Sequence, residues 1–167
     1  MTEKHQSDIL NNWIGQYKGL LFKITRSYAF TPMDRDDLFQ EITVQIWRSI
    51  PSFRGECAVM TWLYRIALNT AIRFSQREKK QSQNKIDIDH ANYVLIETDN
   101  TSDDKLSWLY HEISKLHEID RSICLLLLEG FSYKEMAEIV GITESNIGVR
   151  INRVKKYLTD KSKNYDF

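Results

Sequence analysis

One face of a predicted helix carries aromatic, cationic and amide side chains at helical spacing. The helix lies within FRGECAVMTWLYRIALNTAIRF (53–74), and an adjacent face repeats apolar residues as a buried stripe would. The polar row consists of Trp62, Arg65, Asn69, Arg73 and Gln76. Solvation alone does not select indole, guanidinium and amide groups in one row. The row therefore indicates a partner with flat, anionic and hydrogen-bonding parts.

A second motif near the C-terminus, SYKEMAEIVGITESNIGVRINRVKKYL, predicts two short helices joined by a tight turn. Ser132, with Glu135 three residues later, forms a capping box for the first helix, and Gly141 can adopt the left-handed conformation that ends it. Thr143 caps the second helix, which is basic outside its apolar stripe. This pattern is typical of a helix-turn-helix DNA-binding unit. An ordinary helical hairpin with a basic exposed face remains the alternative.

The second helix of this motif offers two kinds of DNA contact. Its N-terminal half is expected to enter the major groove, where Arg can pair with guanine, Asn with adenine, and Val can pack on a thymine methyl group. The candidates for base edges are Glu144, Ser145, Asn146, Val149 and Arg150. Other side chains are better suited to phosphates, which fix register rather than sequence. They are Tyr133, Lys134, Arg153, Lys155 and Lys156.

The elements that must position these residues are all predicted to be helices. Helical spacing covers 7–29, resumes after TPMDRDD until about Ile50, and continues in the Trp62-bearing helix to about Lys80. Thr31 before Pro32, or Asp34 with Asp37, caps the second of these helices. Strand alternation appears nowhere, so the fold class is all-α: two small helical domains joined by a flexible acidic linker. The predicted divisions are 1–80, the linker 81–103, the helix-turn-helix domain 104–163 and a tail 164–167.

Charge is distributed unevenly along a chain whose formal net charge is zero. Residues 54–80 hold six basic and two acidic side chains, a balance of +4, and residues 144–158 hold four and one, a balance of +3. Residues 85–120 hold three basic and nine acidic side chains, a balance of −6. Two positive patches separated by an acidic connector favour two separate nucleic-acid contacts.

Several classes of function find no support in the sequence. No apolar run could span a membrane and no secretion signal is visible, so we expect a cytoplasmic protein without membrane insertion. Cys57 and Cys124 match no metal or redox spacing. The histidines build no metal site apart from the weak pattern DIDH (87–90), and phosphate-binding glycine loops and nucleophile elbows are missing. We predict no enzyme activity, no catalytic residue, no metal and no cofactor.

Two blocks of the chain resemble bacterial sigma factors of the extracytoplasmic-function (ECF) group within the sigma-70 family. DRDDLFQEITVQIWRSIPSFRGECAVMTWLYRIALNTAI is similar to the region that binds core RNA polymerase and the minus-ten element. LHEIDRSICLLLLEGFSYKEMAEIVGITESNIGVRINRVKKYL is similar to the region that binds the minus-thirty-five element. The order of DLFQE, FRGE…TWLYRIALN and GFSYKEMAEIVGIT is highly specific. The resemblance implies a transcription initiation factor that directs polymerase to promoters.

The resemblance also assigns roles to residues of the first block. Those expected to contact the polymerase are Asp37, Gln40, Glu41, Val44, Gln45 and Arg48. Those expected to hold the melted minus-ten strand are Phe53, Arg54, Trp62, Tyr64, Arg65, Asn69, Arg73 and Arg77. Within this second set, Phe53 or Tyr64 would wedge or stack against a base, while Arg54 and Arg77 lie near phosphates. A core position for Trp62 remains the alternative, because it borders the apolar stripe.

Departures from the family pattern limit what can be carried over. Leu68 and Arg73 stand where the family commonly has Arg and Asp, and Asn146–Val149 replaces its usual Thr-Val-Lys-Ser run. Gly148 either permits close approach of the backbone to DNA or is simply tolerated in the helix. The promoter sequence is therefore not predictable.

The expected partners are core RNA polymerase, promoter DNA and an anti-sigma protein. The resemblance also implies that the acidic linker lies near the path of nascent RNA. The competing hypothesis is a helix-turn-helix regulator with a helical sensor or partner-binding domain. It would require dimer symmetry and a ligand pocket, and it leaves DLFQE unexplained.

Overall fold

The computed structural model describes residues 1–83 and 104–165, and every regular element in these two ranges is a helix. The all-α prediction is thus confirmed. The chain divides into two compact units with a boundary near residue 88. The linker beyond residue 83, including DIDH, lies outside the described residues. The α-helices are α1 (Glu3–Tyr28), α2 (Pro32–Ser49), α3 (Val59–Gln83), α4 (Asp104–Ser114), α5 (Glu118–Leu128), α6 (Tyr133–Val140) and α7 (Glu144–Ser162).

The first helix begins four residues before the predicted start at residue 7. The cause is Thr2, whose side chain accepts a hydrogen bond from the backbone N–H of His5 and so caps a polar first turn that periodicity alone does not reveal. Helix α1 is also interrupted at Tyr17, where φ is −111° and ψ is 16°. Gly15 and Gly19 flank this kink, and glycine lowers the local cost of leaving helical geometry.

Of the two predicted caps for α2, Thr31 is the one used. Its Oγ1 accepts a hydrogen bond from the backbone N–H of Asp34 at 3.1 Å, and Pro32 occupies the first turn, where its missing N–H costs nothing. The α-helix ends at Ser49 and continues as a single 3₁₀ turn over Ile50–Ser52. The predicted end near Ile50 is confirmed.

Helices α1, α2 and α3 pack together to form the first unit. Each contributes one apolar side to a common core, as the spacing of these residues predicts. The buried residues include Leu21, Ile24, Leu38, Ile42, Ile46, Leu63, Ala67 and Ala71. Helix α3 continues to Gln83, three residues past the predicted end at Lys80.

The second unit comprises α4 to α7, and its helix-turn-helix forms as predicted. Ser132 and Glu135 exchange both hydrogen bonds of the capping box. Gly141 ends α6 with φ of 81°, a value at which any side chain would strain the backbone, and Thr143 caps α7. Buried Cys124 belongs to the core, and burial raises its pKa to about 12. Among the described helices, none has the length and apolar character that crossing a membrane requires.

Candidate nucleic-acid interface

The polar row on α3 lies opposite the buried side of the helix, rather than directly beside it as expected from the sequence. Asn69, Arg73 and Gln76 are exposed, and Arg65 and Trp62 are half-buried. Among the described residues, the Nε atom of Arg65 is enclosed and has no hydrogen-bond partner. The row therefore presents amide and guanidinium groups that the fold itself does not use.

Three aromatic rings meet at the N-terminal end of this row. Trp62 from the first turn of α3 lies 5.0 Å from Phe53, measured between ring centroids. Trp13 of α1 lies 5.3 Å from Phe53 and 5.6 Å from Trp62. All three are half-buried. Trp62 is thus neither a pure core residue nor a free one, and we call these three rings the aromatic cluster.

The FRGE loop follows directly on the 3₁₀ turn and contains a glycine with a positive φ. The backbone N–H of Phe53 donates to the carbonyl oxygen of Ile50 at 3.0 Å, which fixes where the loop leaves the 3₁₀ turn. Gly55 has φ of 71°, a left-handed conformation that turns the chain toward α3. Arg54, between them, is exposed. The loop therefore presents one guanidinium beside the aromatic cluster.

Tyr64 corrects the expectation that it would wedge or stack against a base. Its side chain is only 1% exposed, because its position on α3 faces the core between Leu63 and the other buried residues of the stripe. Leu68, which replaces the family's common Arg, is buried on the same side. Tyr64 has no surface to offer a base, and we remove it from the set.

The expected polymerase face of α2 has an exposed centre. Asp37, Gln40, Val44 and Arg48 are exposed, and Glu41 and Gln45 border them at half-buried positions. Val44 is 45% exposed, an apolar contact within a polar face. The six residues lie on the side of the helix away from its core stripe, so they form one continuous surface.

Glu41, at the edge of this face, is paired with a residue from the expected DNA set. Arg77 of α3 donates from Nη2 and Nη1 to the two carboxylate oxygens of Glu41, at 2.7 and 3.3 Å. The hydrogen bond to Glu41 raises the pKa of Arg77 above its ordinary value. The pair joins the α2 face to the far end of the polar row on α3.

In the second unit, most residues expected to meet DNA are on the open side of the helix-turn-helix. Val149 is 54% exposed, so its apolar side chain is accessible to a partner. The exposed residues are Tyr133, Lys134, Glu144, Ser145, Asn146, Val149, Arg153, Lys155 and Lys156. Gly148 lies near Tyr133, whose Cε2 would be 3.6 Å from an added Cβ.

Arg150, expected to read a base, forms an ion pair within its own domain. Its Nη1 donates to Oδ1 of Asp120 on α5 at 2.7 Å, and the two side chains are 27% and 13% exposed. The guanidinium is therefore bound within the domain. Sequence reasoning could not find Asp120, since 30 residues separate the two and no periodicity links them.

Comparison with known proteins decides the family. Residues 13–81 match the model of sigma-70 region 2, and residues 106–158 match a model of sigma-70 region 4. An ECF RNA polymerase sigma-E factor from Haemophilus influenzae is 34% identical over 140 residues, covering 77% of this chain and 74% of the relative. Its Escherichia coli K12 counterpart is 32% identical, covering 77% and 73%. The chain belongs to the ECF sigma factors of the sigma-70 family.

Two solved structures share the fold. CnrH in complex with the cytosolic domain of CnrY has a TM-score of 0.68 at 18% identity, covering 96% of this chain and 91% of that chain. The sigma factor RpoE from Bartonella quintana, in complex with the anti-sigma factor NepR, has a TM-score of 0.73 at 22% identity, covering 92% and 96%.

Family membership confirms the function that the motifs implied. This sigma factor directs RNA polymerase to promoters, and it is not an enzyme. The competing hypothesis of a regulator with a sensor domain is not favoured, since region 2 accounts for the N-terminal helices. Within the described residues, no group of three or more His, Cys, Asp or Glu side chains is arranged to hold a metal ion.

Proposed function

We propose that this sigma factor divides promoter recognition between its two units. The first binds core polymerase through the α2 face and captures the melted non-template strand of the minus-ten element on α3. The second binds the duplex minus-thirty-five element through α7. One observation carries the proposal above all: the polar row of α3 continues directly into the aromatic cluster, opposite a complete buried side.

Strand capture follows from what these groups can do to bases outside the helical stack. A ring stacked on one base typically contributes about 1–3 kcal/mol. Trp62 and Phe53 supply rings, Arg65, Asn69 and Arg73 supply donors for base edges, and the exposed Arg54 supplies a guanidinium for a phosphate. Melting then needs neither ATP nor a catalytic residue. Because the sigma factor binds the opened strand more tightly than the duplex, it shifts the equilibrium between duplex and opened DNA toward the opened form. The size of this shift is set by the difference between the two affinities.

Docking on the polymerase uses charge and one apolar contact. The exposed centre of the α2 face combines a carboxylate at Asp37, an amide at Gln40 and the apolar Val44. Such a surface suits a helix of the polymerase that carries arginine and one apolar side chain, through charge-assisted hydrogen bonds. Holding both units on one large enzyme lets two weak DNA contacts act together.

Duplex recognition falls to α7 and its neighbours. The exposed side chains near its N-terminus, Glu144, Ser145, Asn146 and Val149, are candidates for base edges, and Arg153, Lys155 and Lys156 for phosphates. Because Arg150 is bound to Asp120, we now assign it to positioning α7 rather than to reading a base.

We also propose that the protein acts in the cytoplasm, where RNA polymerase works, and that an anti-sigma protein restrains it. Two solved structures that share the fold support the second proposal: RpoE is in complex with the anti-sigma factor NepR, and CnrH is in complex with the cytosolic domain of CnrY. The second unit has an apolar cavity of about 60 Å³ between α4, α5 and α7, bordered by the exposed Leu128. We also propose that the acidic linker lies near the path of nascent RNA, as the family resemblance implies.

Purified chain mixed with core polymerase tests the proposal. Promoters that depend on the sigma factor are first located by mapping transcript start sites after its overexpression. On such a promoter, the purified sigma factor and core polymerase together are expected to start transcripts at one defined position. The chain alone is expected to bind duplex DNA poorly, because each patch is small and the net charge is zero. A chain that fails to bind core polymerase, or a pair that initiates without promoter preference, would contradict the proposal.

A further inference from the structure

Trp13 stands outside every set of residues that the motifs or the family assign to DNA, yet it touches two members of the strand-binding set. Its ring meets Phe53 at an interplanar angle of 85° and Trp62 at 71°. Phe53 and Trp62 meet each other at 55°. Each ring therefore contacts both others, and α1, the FRGE loop and α3 converge on one point.

The edge-on angles matter because they fix orientation. The positive edge of one ring prefers the negative face of another, so a T-shaped contact restrains both the position and the tilt of its partners. Phe53 opens a loop and Trp62 lies in the first turn of a helix, so each gains from Trp13 a contact that comes from outside its own segment. Trp13, on a long helix, gives both a fixed neighbour.

All three rings keep part of their surface open. A ring buried completely in the core would have no surface to offer a base. A stacking platform needs the opposite arrangement, with one side of each ring packed and another side available to a base.

We propose that Trp13 is a positioning residue for capture of the minus-ten strand, because it holds Phe53 and Trp62 in the orientation that receives unstacked bases. The proposal rests on the proposed function of α3. It adds α1 to the machinery of strand capture, as the element that makes the platform rigid before DNA arrives.

The experiment compares holoenzymes made from the full chain carrying Trp13→Ala, Trp13→Phe or Trp108→Ala. Trp108→Ala is the matched control, since it removes a half-buried indole that contacts another aromatic ring, Tyr165, in the other unit. Two affinities are measured for each: that of the chain for core polymerase, and that of the holoenzyme for a single-stranded oligonucleotide with the non-template minus-ten sequence of a promoter located by mapping start sites.

Trp13→Ala is expected to weaken oligonucleotide binding about tenfold, from two lost ring contacts, with polymerase affinity unchanged. Trp13→Phe should restore most of the binding, because a smaller ring can still present an edge, and Trp108→Ala should change neither affinity. Equal oligonucleotide binding by Trp13→Ala and wild type would overturn the proposal. A parallel fall in both affinities would do the same, since that marks a purely structural role. If the wild-type holoenzyme does not bind the oligonucleotide, the proposed function of α3 in strand capture is itself wrong.

Discussion

Arg150 of α7 and Asp120 of α5 form an ion pair, with 2.7 Å between Nη1 and Oδ1, that joins the DNA-binding helix to the body of its domain. Both side chains are mostly enclosed, at 27% and 13% exposure. To pair with guanine, Arg150 would have to abandon this contact and leave a carboxylate with little access to water. Reading a base would therefore cost the free energy of leaving the Asp120 carboxylate unpaired, whereas a positioning role for Arg150 keeps the ion pair.

Replacing either partner should lower the stability of the second unit. Arg150→Ala and Asp120→Ala are each expected to cost about 1–2 kcal/mol, and the double variant less than their sum. Hydrogen exchange of the α5 and α7 amides measures the stability, and binding to a panel of minus-thirty-five variants measures sequence choice. Affinity should fall equally across the panel. A preference relaxed at a single base pair would make Arg150 a base reader after all.

Val149 becomes the stronger candidate for sequence choice. It is 54% exposed on α7, where a thymine methyl group is the natural apolar partner. Val149→Ala should lose about 1 kcal/mol at one base pair of the minus-thirty-five element and little elsewhere. Lys156→Ala is the matched comparison on the same helix: it should weaken all sequences alike and reduce the salt dependence of binding. If Val149→Ala instead lowers the affinity for all minus-thirty-five variants equally, Val149 does not contact a base.

Glu41 and Arg77 connect polymerase docking to the DNA row. Glu41→Arg should weaken binding to core polymerase, because it removes a carboxylate from the α2 face and places like charge opposite Arg77. The decrease in polymerase affinity caused by Glu41→Arg should be smaller at high salt, because salt screens interactions between solvent-exposed charges. Affinity measured at two salt concentrations checks this. Asp8→Arg, a charge reversal at an exposed position of α1, is the control. If it lowers the affinity for core polymerase as much as Glu41→Arg does, the α2 face is not the docking surface.

Local chemistry explains why so much of the fold was predictable from the sequence. Ser132, Gly141 and Thr143 act on backbone groups within four residues of themselves, so a short window of sequence contains the whole interaction. The same holds for the apolar stripes of α2 and α3, whose spacing alone defines the buried side.

Contacts between distant segments explain what was missed. Trp13 appeared only as one more apolar residue of α1, and nothing in its neighbourhood pointed to Phe53 or Trp62. Asp120 likewise lies 30 residues from Arg150. The pairings of Trp13 and of Asp120 depend on how helices cross, which spacing within one helix does not specify. Tyr64 is a different case: the resemblance placed it in the strand-binding set, whereas its angle around α3 directs it to the core.

Gly148 offers a choice between two physical roles. An added Cβ would meet only Cε2 of Tyr133, at an ordinary contact distance of 3.6 Å, so Gly148→Ala should stabilise α7 by about 1 kcal/mol. If the bare backbone approaches DNA closely, the same variant should bind the minus-thirty-five element less tightly. Hydrogen exchange of the α7 amides in the same variant measures the gain in helix stability separately from any change in DNA binding. Unchanged DNA binding would mean that glycine is merely tolerated.

The capping box of α6 should make the helix-turn-helix sensitive to acid. Hydrogen bonds from the backbone and side chain of Ser132 lower the pKa of Glu135 below its ordinary value of 4.5. A lowered pKa in the folded state means that the contribution of Glu135 to stability is complete above the ordinary value and is lost as pH falls through the lower one. Unfolding of α6, followed by hydrogen exchange between neutral and acidic pH, measures this loss. Glu135→Gln should remove that part of the pH dependence, whereas Glu138→Gln, exposed on the same helix, should retain it. Equal slopes for Glu135→Gln and wild type would mean that the carboxylate does not stabilise the cap.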